Sequence, residues 1–177
     1  MYAIEEASDR HLVSYFFQQY ELHVTPLLPE LRKSVIHNDI NEWNTLITND
    51  SVSGLIDFGD LAYSPLINEL AIAITYACYD KDTPLQWAIP VIKGYHEVLP
   101  LEEKELNILY HLIAGRLCTS LCNAAHSKTV HPENSYASSS ETNALNMLHH
   151  WIKINPIHAT NEFLKAANFR IKTPLAL

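Results

Sequence analysis

The chain predicts a helix-dominated α+β domain with one small β-hairpin. Two short β-type runs, TLIT (45–48) and VSGLI (52–56), flank the turn composition Asn49-Asp50-Ser51, which makes a hairpin. From Ser64-Pro65 onward the chain reads as one helical pattern after another. With 177 residues, 47% hydrophobic and 18% charged, it is long enough for one domain with a sizeable core and marginal for two. A single domain over 1–177 is therefore expected, with its polar loops at 35–60 and a helical remainder at 64–169.

The elements follow in order. Residues 8–22 open on a Ser or Asp cap and carry apolar side chains at helical spacing, so they form an amphipathic helix. TPLLPELRKS holds two prolines and reads as a short helix or turn leading into a strand at 34–36. After the hairpin, 65–79 is nearly all apolar and should be a buried helix. Residues 83–99 start on a Thr-Pro pair, and Pro90 should kink or divide that helix. The longest helical pattern is 101–126, with acids in the first turn as the helix dipole prefers. SKTVHPENSYA reads as a loop, 138–154 as a helix behind capping serines, and Pro156 starts a last helix ending near Asn168.

The formal charge of −8, with no basic stripe, argues against a nucleic-acid coat. The acidic N-terminus lacks the blocks of a signal peptide, and no apolar run reaches the roughly 18 residues of a membrane span. Three cysteines suggest no disulfide framework, and Cys118 and Cys122, on one helix face, read as buried thiols. A reducing, cytoplasmic setting is the expectation. His149-His150 point about 100° apart on a helix, and His111 and His126 have no carboxylate at ligand spacing. This spacing argues against a zinc hydrolase.

The stretch that carries chemistry is VIHNDINEWNTLITNDSVSGLIDFGD (35–60). Antiparallel strands return their outer ends to one place, so Asp57 comes back toward Asp39 and Asn44. An Asp in a His-x-Asp loop, an Asn five residues later and Asp-Phe-Gly after two short strands is the pattern of kinase-type phosphoryl transfer. In that pattern Asp39 orients the acceptor hydroxyl and takes its proton, while Asn44 and Asp57 hold Mg²⁺ against the nucleotide phosphates. His37 fastens the loop by hydrogen bonding, and Gly59 supplies the backbone freedom that turns Asp57 inward. Each piece alone is ordinary turn sequence; the order of the three motifs around the hairpin makes the case.

Across VIHNDINEWNTLI…VSGLIDFGDLAYSPLINELAIAI the chain resembles the C-terminal lobe of the aminoglycoside phosphotransferase and choline kinase-like family. In particular it resembles the hydroxylysine kinases and the kinase-like domains fused to class III aminotransferases. The likeness extends through GRLCTSLCNAA and PENSYA, covering most of 30–155. The resemblance implies a protein kinase-like fold, ATP and Mg²⁺ as cofactors, and transfer to a hydroxyl of a small amino alcohol or amino sugar. It makes Asp39 the catalytic carboxylate and Asn44 and Asp57 the metal ligands. Asn38 stands where the family more often has Gly, and Asn tolerates unusual backbone angles.

Glu69, a charge inside an apolar helix, is read as support for the catalytic loop, in a position where the family usually has Asp. Arg116, isolated in HLIAGRLCTSL, should pair with Glu69 or another buried carboxylate, with substrate contact as the rival reading. Asp60 and Glu42 flank the centre and are candidates for binding an amine, with Trp43 and Tyr63 as nearby aromatic faces; exposed turn acids are the competing reading.

A kinase also needs a Gly-rich loop and a strand lysine to hold ATP. The four glycines, at 54, 59, 94 and 115, form no such loop, and no lysine sits in a β-type run before the catalytic loop. The N-terminal nucleotide-binding lobe is therefore expected to be absent from this chain and supplied in cis or in trans, with the chain inactive alone. The alternative is a non-catalytic kinase-like remnant or interaction module of a larger, possibly aminotransferase-fused, protein.

Overall fold

In the computed structural model, which describes residues 2–131 and 135–170, one long helix organises the rest. This is α4 (Glu103–Val130), 28 residues and so roughly 42 Å long. It begins on a reciprocal cap in which Glu105 Oε2 accepts from the Glu102 backbone N–H at 2.8 Å. Its middle is apolar nearly all round, so helices surround it. These are α1 (Ala7–His23), α2 (Leu66–Ala77), α5 (Ser135–Trp151) and α6 (Pro156–Ala166), while α3 (Pro84–Val98) packs on α2 and α6. Gly115 permits a close approach, since a Cβ there would stand 3.0 Å from the Tyr20 ring of α1. Tyr110 and Trp151 stack 5.2 Å apart and trade hydrogen bonds, each side chain donating to the other's carbonyl at 3.1 Å. His111 lies flat against His23 of α1, ring centroids 4.4 Å apart.

The strands form two separate pairs. β2 (Thr45–Thr48) and β3 (Ser51–Leu55) make the expected hairpin, with Thr48 opposite Ser51 and a register slip between Leu46 and Ile47. Asn49 and Asp50 both take positive φ, as a two-residue turn between twisted strands demands. β1 (Lys33–Ile36) pairs antiparallel with β4 (Ala62–Pro65), bringing Ile36 opposite Ala62. Short 3-10 turns occupy Thr25–Glu30 and Phe58–Asp60. The buried apolar cluster passes directly from Leu31 to Ile67. The strands and their loops therefore sit on the helical body and contribute no side chain to this cluster. Many of their apolar residues face water, including Trp43, Ile47, Val52 and Tyr63.

The mostly helical class with a small hairpin is what the structure has, and several details differ from expectation. β4 is a strand that sequence reading passed over, and its partner β1 opens on Lys33, so an exposed lysine does sit in a strand before the loop, contrary to expectation. Pro90 does not divide α3, because it and Gln86, whose carbonyl loses its partner, lie on the exposed side while Ala88 and Ile92 hold the buried side. The expected loop at 127–137 is shorter, since α4 runs through Val130 and α5 starts at Ser135; Pro132, Glu133 and Asn134 lie outside the described residues. All three cysteines are free; Cys118 is buried and Cys122 half-buried. Burial pushes the Cys78 thiol up to about 12. No helix among the described residues is long and apolar enough to cross a membrane.

Candidate active site

The site begins where β1 ends. His37 is buried and its Nε2 sits 2.8 Å from the Ile56 carbonyl. That bond makes Nε2 the protonated nitrogen and ties the loop to the strand leading into Asp57. The ring also packs on Phe58, 5.2 Å away. Asn38 adopts φ 67, the left-handed backbone that Asn accepts more readily than most residues, and its N–H donates to Glu69 Oε2 at 3.0 Å. Glu69 thus clips α2 to the loop.

Four side chains converge on Asp39. Oδ1 accepts from the Tyr76 hydroxyl at 2.7 Å and from Arg116 Nη2 at 2.8 Å. Oδ2 accepts longer bonds from Asn41 and Asn44 Nδ2, each 3.2 Å. Asn44 is buried, and its Nδ2 also donates to the Asp39 carbonyl at 2.8 Å. Asn41 shapes the turn between them, its Oδ1 accepting from the backbone N–H of Trp43 at 2.9 Å and of Asn44 at 3.0 Å. Burial raises the Tyr76 hydroxyl above its ordinary value, so it remains a proton donor to Asp39.

Asp57 follows Ile56, whose N–H donates to the Asn44 carbonyl at 3.0 Å while its own carbonyl meets His37. Its backbone is thereby fixed beside the loop that carries Asp39. Its carboxylate is exposed and makes no hydrogen bond or ion pair with the described residues. Here the reading of Gly59 needs correction. Gly59 has no positive φ; Asp57 itself is left-handed, at φ 61 and ψ 67. The turn that aims this carboxylate is made at the aspartate. Asp60 and Glu42 are both exposed and pair with nothing described, so the structure joins neither to the Asp39 cluster.

Arg116 pairs with Asp39 and not with Glu69, to which no bond runs, and its guanidinium lies 5.6 Å from the Tyr76 ring centroid. Sequence reading missed Tyr76 and Asn41. Tyr76 stands seven residues after Glu69, two helical turns on, so the spacing places both on the face of α2 that meets the loop. Next to the cluster opens a cavity of about 470 Å³ between α1, α2 and α4, bordered by Asn38 and Arg116. Among the described residues no three His, Cys, Asp or Glu side chains gather into a group able to hold a metal.

Residues 3–106 match the family model described as phosphotransferase enzyme family. The chain belongs to this family. Its mostly helical fold with small strand pairs fits the family's C-terminal lobe. The chain is 37% identical to a hydroxylysine kinase of Danio rerio over 128 residues, covering 70% of this chain and 36% of that protein. It is 33% identical to a hydroxylysine kinase of Bos taurus over 143 residues, 76% of this chain and 38% of the relative. A homoserine kinase of Zymomonas mobilis is 34% identical over 88 residues, 49% and 28% of the two chains. The chain thus matches little more than a third of the length of these hydroxylysine kinases.

Proposed function

We propose that this chain is the catalytic C-terminal part of an ATP- and Mg²⁺-dependent phosphotransferase that phosphorylates a hydroxyl on a small amine-bearing molecule. The observation that carries the reading is the joining of Asp39 to Asn44, with Ile56 hydrogen-bonded to both His37 and Asn44 so that Asp57 follows beside them. Asp39 is the group that orients the acceptor hydroxyl and receives its proton. Asn44 and Asp57 are the residues that would hold the cation. Because Asn44 turns its Nδ2 to Asp39, its Oδ1 is left as the ligand atom, and Asp57 supplies a carboxylate with no other partner among the described residues; both are the hard oxygens magnesium takes. Bound there, Mg²⁺ would neutralise charge on the nucleotide's phosphate oxygens. His37 and Glu69 hold the loop in place.

The relatives' names point to acceptors that carry an amine beside a hydroxyl, hydroxylysine and homoserine. The nucleotide cradle belongs to a further lobe, in cis or in trans. In a protein joining this chain to such a lobe, Asp39→Asn lowers kcat by about 10²–10⁴-fold with little change in KM for ATP. Asp57→Asn raises the magnesium concentration needed for half-maximal rate. An unchanged kcat in Asp39→Asn overturns the assignment. The 177-residue chain alone transfers no phosphate from ATP to L-homoserine or to an amino alcohol; measurable transfer to either refutes the need for a second lobe.

A further inference from the structure

The cavity beside Asp39 has two charged walls and an apolar floor. Phe17, Ile72 and Leu112 give it apolar surface, Glu21 of α1 a carboxylate, and Arg116 of α4 a guanidinium. Glu21 is exposed and, among the described residues, engaged only with the Thr25 hydroxyl at 3.1 Å. Arg116 Nε is buried and has no hydrogen-bond partner among the described residues, although Nη2 holds both Asp39 and Tyr76. A buried N–H without a partner carries a desolvation cost, which a ligand oxygen would relieve once the guanidinium turns to bring Nε to the cavity surface. The Nε and Nη2 groups of an arginine form the edge that takes a carboxylate with two parallel bonds. This protein already uses that edge elsewhere: Arg32 meets Glu105 through Nε at 3.0 Å and Nη2 at 2.6 Å.

In Arg116 half of that edge is spent on Asp39. A second carboxylate can take the whole edge only by drawing Nη2 away from Asp39 Oδ1. We propose that Arg116 binds the carboxylate of a hydroxylated amino acid acceptor and, in doing so, releases Asp39 Oδ1 to the acceptor's hydroxyl. Glu21 receives the acceptor's ammonium across the cavity. Without a carboxylate in the cavity, the oxygen that would take the proton stays occupied by Arg116 and Tyr76. The acceptor therefore unlocks the base that will act on it, and an amino alcohol lacking the carboxylate does not. This rests on the phosphotransferase reading above.

The test needs neither nucleotide nor turnover. Binding of L-homoserine and of its decarboxylated counterpart, 3-amino-1-propanol, is measured on the 177-residue chain by calorimetry and by chemical-shift titration. Homoserine binds at least about tenfold more tightly, as a two-bond charged contact requires. Arg116→Met removes that preference by weakening homoserine alone. Arg116→Lys, which keeps the charge and the fold but lacks the planar edge, retains part of it. Glu21→Gln weakens both ligands alike. Equal affinity of the two ligands for the wild-type chain, no shift change with homoserine, or an undiminished preference in a folded Arg116 variant each overturns the proposal. Those outcomes leave the phosphotransferase reading standing, because that reading fails on the turnover of Asp39→Asn in the two-lobe protein.

Discussion

Stability should fall in mild acid because of one ring. His111 is buried between α1 and α4, its Nδ1 has no partner among the described residues, and its flat neighbour is His23. Burial, and then the second imidazole, push it down to about 4. In the unfolded chain the same ring returns to about 6.5. Between those values the unfolded state binds the extra proton, so stability rises with pH across this window and is lost as pH falls from about 6.5 toward 4. The full difference is about 3 kcal/mol, of which about 2 kcal/mol is already gone at pH 5. The assay is urea unfolding at pH 7.5 and pH 5, followed by tryptophan fluorescence, for the wild type and His111→Phe. Phe keeps a flat apolar ring against His23 and cannot take the proton. The wild type should lose about 2 kcal/mol more than the variant between the two pH values. Equal losses in the two proteins refute the reasoning, because the acid sensitivity would then come from other groups.

Two further outcomes follow from the loop and the α4 cap. Glu105→Ala removes the buried partner of Arg32 and the reciprocal cap of α4; with the Arg32 side chain 32% exposed the cost falls at the low end for a broken buried pair, about 3 kcal/mol. Arg32→Met costs more, because it strands the Glu105 carboxylate at 1% exposure, and the two urea midpoints compared directly check that order. At Asn38, whose φ is 67, Asn38→Ala costs about 1 kcal/mol and Asn38→Gly does not incur that penalty. A thermal melt in which Ala and Gly behave alike would remove the left-handed strain from the account of this loop.

What the sequence announced was local. Prolines and capping acids mark where α3, α4 and α6 begin, and Asn49-Asp50 specifies a tight hairpin through its own backbone preferences. The order of His37, Asp39, Asn44 and Asp57 was legible for the same reason: one short stretch carries them all. Pairings across long separations were not. β4 is four residues with Pro65 at its end, and only β1, some thirty residues earlier, makes it a strand. The partner of Arg116 lies 77 positions away, and the sequence named Glu69 for it with nothing to single out Asp39. The left-handed residue was assigned to Gly59 because glycine is the usual occupant, whereas Asp57 takes the strain itself.

The gap between Leu31 and Ile67 in the apolar cluster separates two kinds of durability. Backbone amides along α4 exchange with deuterium only when the whole helical body comes apart, but those of β2 and β3 need release only a few exposed hydrogen bonds. The hairpin between Asn44 and Asp57 can therefore breathe, and accept sequence change, while the body beneath it stays shut.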